Sequence, residues 1–239
     1  MKQGVFITVL MLVAFTIAYI IFTYMLPDYI QAGGPLVVLL IMMSIMVISF
    51  VIERLFMLQL ARGKGSLHSF LKNVKSEINN LNINGAIELC DKQRGSFANV
   101  LRAGLEQYNV IKKSKSAITA KEIMEEIKRS IDEAMMLEVP LLERNLVALS
   151  TIASIATLVG LLGTTIGMIR AFRALAHAGA PDAIALSVGI SEALINTAGG
   201  LLCAIMGIVF YNYFATRIDN FTYMIDEASL AMVERLTKE

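Results

Sequence analysis

The chain has 239 residues, of which 56% are hydrophobic and only 17% charged, and its mean hydropathy is +0.65. That balance belongs to polytopic membrane proteins and excludes an ordinary soluble domain. The net charge of +1 hides an asymmetry: 15 of the 21 Lys and Arg fall between Arg54 and Arg144, and none between Pro27 and Pro35.

Gly4 to Leu26 is one uncharged run behind Lys2. It is too long for the apolar core of a signal peptide and another apolar run follows at once, so it reads as a transmembrane helix. Pro27-Asp28 and Gly33-Gly34-Pro35 make a tight break. Leu36 to Ile52 spans again, and its apolar pattern continues through Leu55, Phe56 and Leu58 to a stop at Gly63 and Gly65.

From Ser66 to Arg144 the composition is that of a soluble helical domain. Phe70, Leu71 and Val74 repeat at helical spacing, and Asn84-Gly85 is expected to turn. Gly85 to Gln107 reads as two short helices broken near Gly95, and Lys112 to Ser116 as a polar break. A long helix is expected from Lys121 to Arg144, with Ile123, Ile127, Ile131, Met135 and Leu142 in phase. Pro140 should kink this helix or mark its join to the next span.

Asn145 to Ile169 and Ala193 to Thr216 are both uncharged throughout, and each is long enough to cross a bilayer. The tail from Ile218 carries Phe221, Ile225, Ala228 and Met232 on one stripe, an amphipathic helix expected to pack on the long loop helix. The expected fold is therefore all-α, with four transmembrane helices and a helical domain outside the membrane. Its divisions are 1–34 (first span and turn), 35–62 (second span), 63–144 (helical domain), 145–216 (a pore-forming hairpin) and 217–239 (C-terminal helix). The Lys/Arg bias puts the domain and both termini in the cytoplasm.

Within the hairpin, Thr164 stands as far along the chain from Arg144 as Thr197 does from Arg217. At ~1.5 Å per residue both hydroxyls sit ~30 Å from the inner boundary. Gly160, Gly163 and Gly167 surround the first; Ala193, Gly200 and Ala204 share the face of the second, and small residues let helices approach closely. Such threonines either line a polar pathway or bond their own i−4 carbonyls. Glu192 lies ~140° around the helix from Thr197, on a face with Asn196, Gly199 and Cys203. An ionisable residue in a membrane helix is a functional candidate. Arg170 is nearly as far from Arg144 as Glu192 is from Arg217, so a salt bridge between them is the other reading.

Nothing in the pattern suggests an enzyme: no nucleotide-binding glycine loop, no Ser/His/Asp set and no metal-ligand spacing. With only His68 and His177 in the chain, a multi-His metal centre is excluded, and Cys90 and Cys203 suggest no disulfide framework. No cofactor and no nucleic-acid partner is expected.

"LVALSTIASIATLVGLLGTTIGMIRAF" followed by "GISEALINTAGGLLCAIMGIVFYNYF" resembles the MotA/TolQ/ExbB proton channel family, most of all its ExbB/TolQ branch. "GAIELCDKQRGSFANVLRAGLE" is similar to the cytoplasmic segment of that branch. The resemblance runs from about Leu36 to the C-terminus and leaves the first helix outside the usual three-span pattern. It implies a ring of copies, pentameric in ExbB, around the single-span helices of an ExbD-like partner in the bacterial inner membrane. Proton flow would then energise a TonB-like protein for outer-membrane import. Thr164, Glu192 and Thr197 match the family's functional threonines and glutamate, and the main proton-carrying aspartate would belong to the partner. The family often has prolines where this chain has Thr157, Val188 and Met206, so the kinks they make are lost. A flagellar-stator-like subunit fits less well, because the loop lacks its motifs. A non-conducting membrane scaffold assembled through the glycine faces is the reading from another class.

Overall fold

The computed structural model describes residues 2–114, 119–176 and 182–237, and among them every regular element is a helix. The chain divides into two compact units, Met1–Glu53 with Asn145–Tyr213 and Arg54–Arg144 with Phe214–Glu239. The second unit joins the end of the second long helix, from Arg54, to the helical region and the C-terminal tail.

The first unit begins with α1 (Lys2–Tyr24). This helix buries Ala14 and Ala18, one turn apart, while Val5, Val9, Leu12 and Phe15 are exposed. Outward apolar side chains are what a helix surrounded by lipid should show. Pro27 leads into a single turn, α2 (Asp28–Gln31), and Gln31 caps the chain reversal by donating to the Leu26 carbonyl at 2.7 Å. Gly34 adopts φ +73°, open to glycine at no steric cost, and Pro35 opens α3 (Pro35–Arg62) at a position where its missing N–H costs nothing. The later part of the unit holds α8 (Leu146–Ala176) and the first part of α9 (Ala183–Thr237). Asn145, just before α8, takes φ +66°, a conformation asparagine tolerates better than most residues, and its side chain donates to Glu53 at 2.9 Å.

The second unit is built from amphipathic helices: α4 (Leu67–Asn79), α5 (Ile83–Gln93), α6 (Ser96–Lys113), α7 (Ala120–Glu143) and the distal part of α9. Its core is large and aromatic. Phe97 of α6 meets Phe70 of α4 edge-on with centroids 6.3 Å apart, and Phe221 of α9 at 5.8 Å. Leu101, Leu105, Ile127, Ile131 and Ile225 complete it. The end of α3 is pinned to the α5–α6 turn: Lys64 N–H donates to Gln93 O at 2.7 Å, and the Gln93 amide donates to Arg62 O. Gly63 and Gly95 make this possible. A Cβ on Gly63 would lie 1.8 Å from Arg94 O, and one on Gly95 would lie 2.6 Å from Ala61 O. Gly63 therefore does more than stop a helix.

Several sequence expectations need correction. Asn84-Gly85 does not turn; both lie in the first turn of α5. The reversal comes at Asn80–Asn82, where Leu81 has φ +58° and Asn82 caps α5 by accepting from Gly85 N–H. Asn82 wins because its side chain can satisfy a free N–H at the helix start. The C-terminal tail is no separate helix: α9 runs unbroken for 55 residues. Its distal stripe meets α6 at Phe97 and Gly104, where a Cβ on Gly104 would touch Met232 of α9 and Ile131 of α7. Pro140 sits inside α7, which continues to Glu143, so the join falls three residues later. Residues 115 and 116 of the expected polar break, and the last two of the tail, lie outside the described residues.

One buried charge was not anticipated. Arg54 is fully buried, and its guanidinium donates to Leu142 O at 2.9 Å. The last carbonyls of a helix lack intrahelical donors, and a cation there also meets the negative end of the helix dipole.

Candidate functional site

The site is built on the seam between α8 and α9. On α8 the buried positions include Ala153, Ala156, Gly160, Gly163, Gly167 and Ala171, a row of small residues at helical spacing. A side chain added to any of its glycines would strike α9. At Gly160 a Cβ would lie 3.2 Å from Gly200 Cα, at Gly163 2.2 Å from Asn196 Cβ, and at Gly167 2.7 Å from Ala193 N. From the other side, Gly200 approaches Ala156 O, Gly189 approaches Ala171 N, and Gly207 faces Ala153. Ala204 is buried as well. The glycine faces, read from the sequence as assembly surfaces, thus close the hairpin inside one chain. In lipid, backbone-to-backbone approach replaces the hydrophobic drive that would hold two helices together in water. Gly189 and Gly207 belong to the same seam and were missed, although their spacing extends the Ala/Gly repeat.

The antiparallel pairing of Gly163 with Asn196 and Gly160 with Gly200 puts Thr164 and Thr197 within about one helical turn in height. They do not bond each other. Thr164 Oγ donates to Leu161 O at 2.6 Å on its own helix. Thr197 Oγ lies 3.2 Å from Ala193 O and 3.3 Å from Gly160 O, so it reaches across the seam. Both residues are half-buried. Each hydroxyl donates once and keeps lone pairs free to accept.

Glu192 occupies the other face of α9 and sits more than two turns inside that helix. It is 4% exposed and ion-paired with Arg170 of α8. The turn before α3 covers it: a Cβ on Gly34 would lie 3.2 Å from Glu192 Oε1. Asn196, fully buried, donates from Nδ2 to Gly33 O at 2.8 Å and to Glu192 O at 3.0 Å. Its Oδ1 has no hydrogen-bond partner among the described residues. Further along this face Gly199 meets Leu40 of α3, and Cys203 is buried. α9 therefore turns its threonine face to α8 and its glutamate face to α3 and the turn before it. Asn196 and the Gly33-Gly34 pair form the bracket around Glu192. Asn196 was noted in the sequence only as sharing that face, and no pattern in the chain links residue 33 to residue 196.

A profile of the MotA/TolQ/ExbB proton channel family matches residues 92–227, which include all of α7 and α8 and most of α9. The chain belongs to the MotA/TolQ/ExbB proton channel family. The match begins later than the Leu36 from which the resemblance was read. Among curated relatives, the Tol-Pal system protein TolQ of Pseudomonas aeruginosa is 34% identical over 118 residues, 49% of this chain and 51% of that protein. The biopolymer transport protein ExbB of Pseudomonas putida is 35% identical over 91 residues, 38% of this chain and 28% of that one. ExbB of Salmonella typhimurium is 40% identical over 73 residues, 30% of each chain. The chain thus spans about half the length of the TolQ relative and less of these ExbB proteins. Among the described residues four helices, α1, α3, α8 and α9, are long and apolar enough to cross a membrane, as befits a multi-pass protein of this family.

Proposed function

We propose that this chain is a proton-channel subunit of the ExbB type, acting in the bacterial inner membrane with an ExbD-like single-span partner and a TonB-like protein. On this reading it is not an enzyme; copies of it assemble into a ring, five by analogy with ExbB, and proton flow past α8 and α9 is converted into work on outer-membrane import. Both termini and the second unit face the cytoplasm, as the Lys/Arg bias suggests. The carrying observation is the paired level of Thr164 and Thr197 at the seam, with Thr197 Oγ sharing its proton between Ala193 O on its own helix and Gly160 O across the seam. Hydroxyls there can orient water without adding a buried charge, while the carboxylate that takes the proton comes from the partner. Glu192 acts beside this layer as a brace: its pairing with Arg170 ties the outer ends of α8 and α9 together.

A TolQ-type motor is the second reading, favoured by the 118-residue match to a TolQ protein. Proton flux into liposomes, measured with and without a co-purified single-span partner, tests the channel. Partner-dependent flux is expected. An assembled ring that passes no proton with its partner present would instead identify a scaffold.

A further inference from the structure

The second unit contains a groove of about 780 Å³ between α4 and the distal part of α9. Its floor is apolar, formed by Leu71, Val74, Ile78, Leu101, Met224 and Ala228. The α4 wall is basic, with Lys72 and Lys75 exposed beside His68, and the α9 wall is mixed, with Glu227 and Glu234 beside Arg235. A groove with two helical walls and an apolar floor is shaped for a third helix.

The same unit also exposes an apolar stripe. On α7, Met136 is 75% exposed and Leu137 74%, with Leu141 one turn further on. Phe56, Leu60, Val110 and Tyr223 of this unit are exposed as well, but Met136 and Leu137 are adjacent and the most exposed large apolar side chains in it, which marks a contact surface. Asp132 and Glu125 line up with Met136 at helical spacing, and α7 carries seven acidic residues against three basic. Lys121 is paired with Glu125, and Arg129 with Glu126 and Glu133, which leaves Asp132 as the stripe's acid without a basic partner on α7 among the ion pairs of the described residues. The acid excess of the stripe matches the lysines of the α4 wall.

Groove and stripe also lie at the same height. Ile131 of α7 and Met232 of α9 both meet Gly104, and Glu138 of α7 accepts from Asn99, two residues beyond the Phe97 that stacks on Phe221. Met136 is therefore level with α9 between Met224 and Ala228.

We propose that the groove between α4 and α9 receives the Met136–Leu137 stripe of α7 from a second copy of this chain. Because the two surfaces differ, the contact is head-to-tail; because they are level, it is compatible with a rotation without a rise, as a closed ring requires. The proposal rests on the ring assembly of the preceding section and names the surfaces that form it.

The test uses the full chain in native membranes with Met136→Cys and Ala228→Cys together, treated with a short bismaleimide. Both native cysteines are buried, so they stay in place, and the unaltered chain is the control. A head-to-tail ring gives a ladder of covalent multimers from the double variant. It gives dimers only when the two single variants are mixed, and nothing from either one alone. Three results would overturn the proposal: no cross-link in an oligomer that native mass spectrometry shows intact, homotypic dimers from Met136→Cys alone, or a monomeric wild-type chain. Flux separates the two readings. A missing ladder with partner-dependent flux retained refutes only this interface, whereas a ladder without flux refutes only the channel.

Discussion

The two units are held together by opposite means. In the α8–α9 seam the closest approaches are made at glycines: Gly160, Gly163, Gly167, Gly189 and Gly200. In the second unit the contacts are between large side chains, with Phe97 wedged against Phe70 and Phe221 above Leu101 and Leu105. Apolar side chains gain nothing by leaving lipid for a protein interior, so a hairpin in the membrane is stabilised by close approach. Where water surrounds a fold, removing large apolar surfaces from it supplies the drive. One unit should therefore fail when volume is added, and the other when it is taken away.

Phe97→Ala should have the largest effect. Deleting a fully buried ring costs about 3–5 kcal/mol, read as loss of the second unit's thermal transition in detergent. Gly163→Leu should follow at roughly 3 kcal/mol, since its Cβ falls within 2.2 Å of Asn196 Cβ, where α9 cannot give way cheaply. The damage should appear in the hairpin of the isolated monomer, and an intact hairpin in that variant would break the comparison. Arg54→Met removes the donor to Leu142 O and should cost about 2 kcal/mol.

Cys90 gives a pH signature confined to the second unit. Burial, reinforced by the neighbouring Asp91 charge, pushes its thiol from 9.0 up to about 12. The unfolded chain therefore loses this proton first. Stability is complete below pH 9 and falls as pH climbs from 9 toward 12, by about 1.4 kcal/mol per unit at most. Thermal melts of wild type and Cys90→Ala across that range check it, and identical slopes would contradict it. The smallest effect belongs to Leu158→Ala on the exposed side of α8, expected below about 0.5 kcal/mol because the side chain leaves lipid for lipid.

Length and hydropathy made the four membrane-capable helices legible, and glycine marked the breaks at Gly63 and Gly95 because both positions need positive φ. The row of Ala and Gly on α8 was readable too, but not which helix would meet it. Small residues specify closeness and not identity, so a seam within one chain and a seam between chains look alike in sequence. The unbroken α9 was hidden for a related reason. Its apolar face turns from one set of neighbours to another near Tyr213, and a change of pattern looks like a boundary. The burial of Arg54 was hidden because nothing local foretells a carbonyl 88 residues away. For Arg170 and Glu192, similar distance from the flanking arginines was enough to suggest their pairing, since depth in a membrane helix follows directly from residue count.

The threonine layer is the claim on which the channel reading turns, and proton flux through Thr164→Val/Thr197→Val tests it most directly. Valine keeps the shape of threonine and removes the hydroxyl, so the seam should close and the oligomer should form as before. With the partner co-expressed and assembly verified by native mass spectrometry, flux is expected to fall at least tenfold. Wild-type flux from the fully assembled double variant would contradict the account.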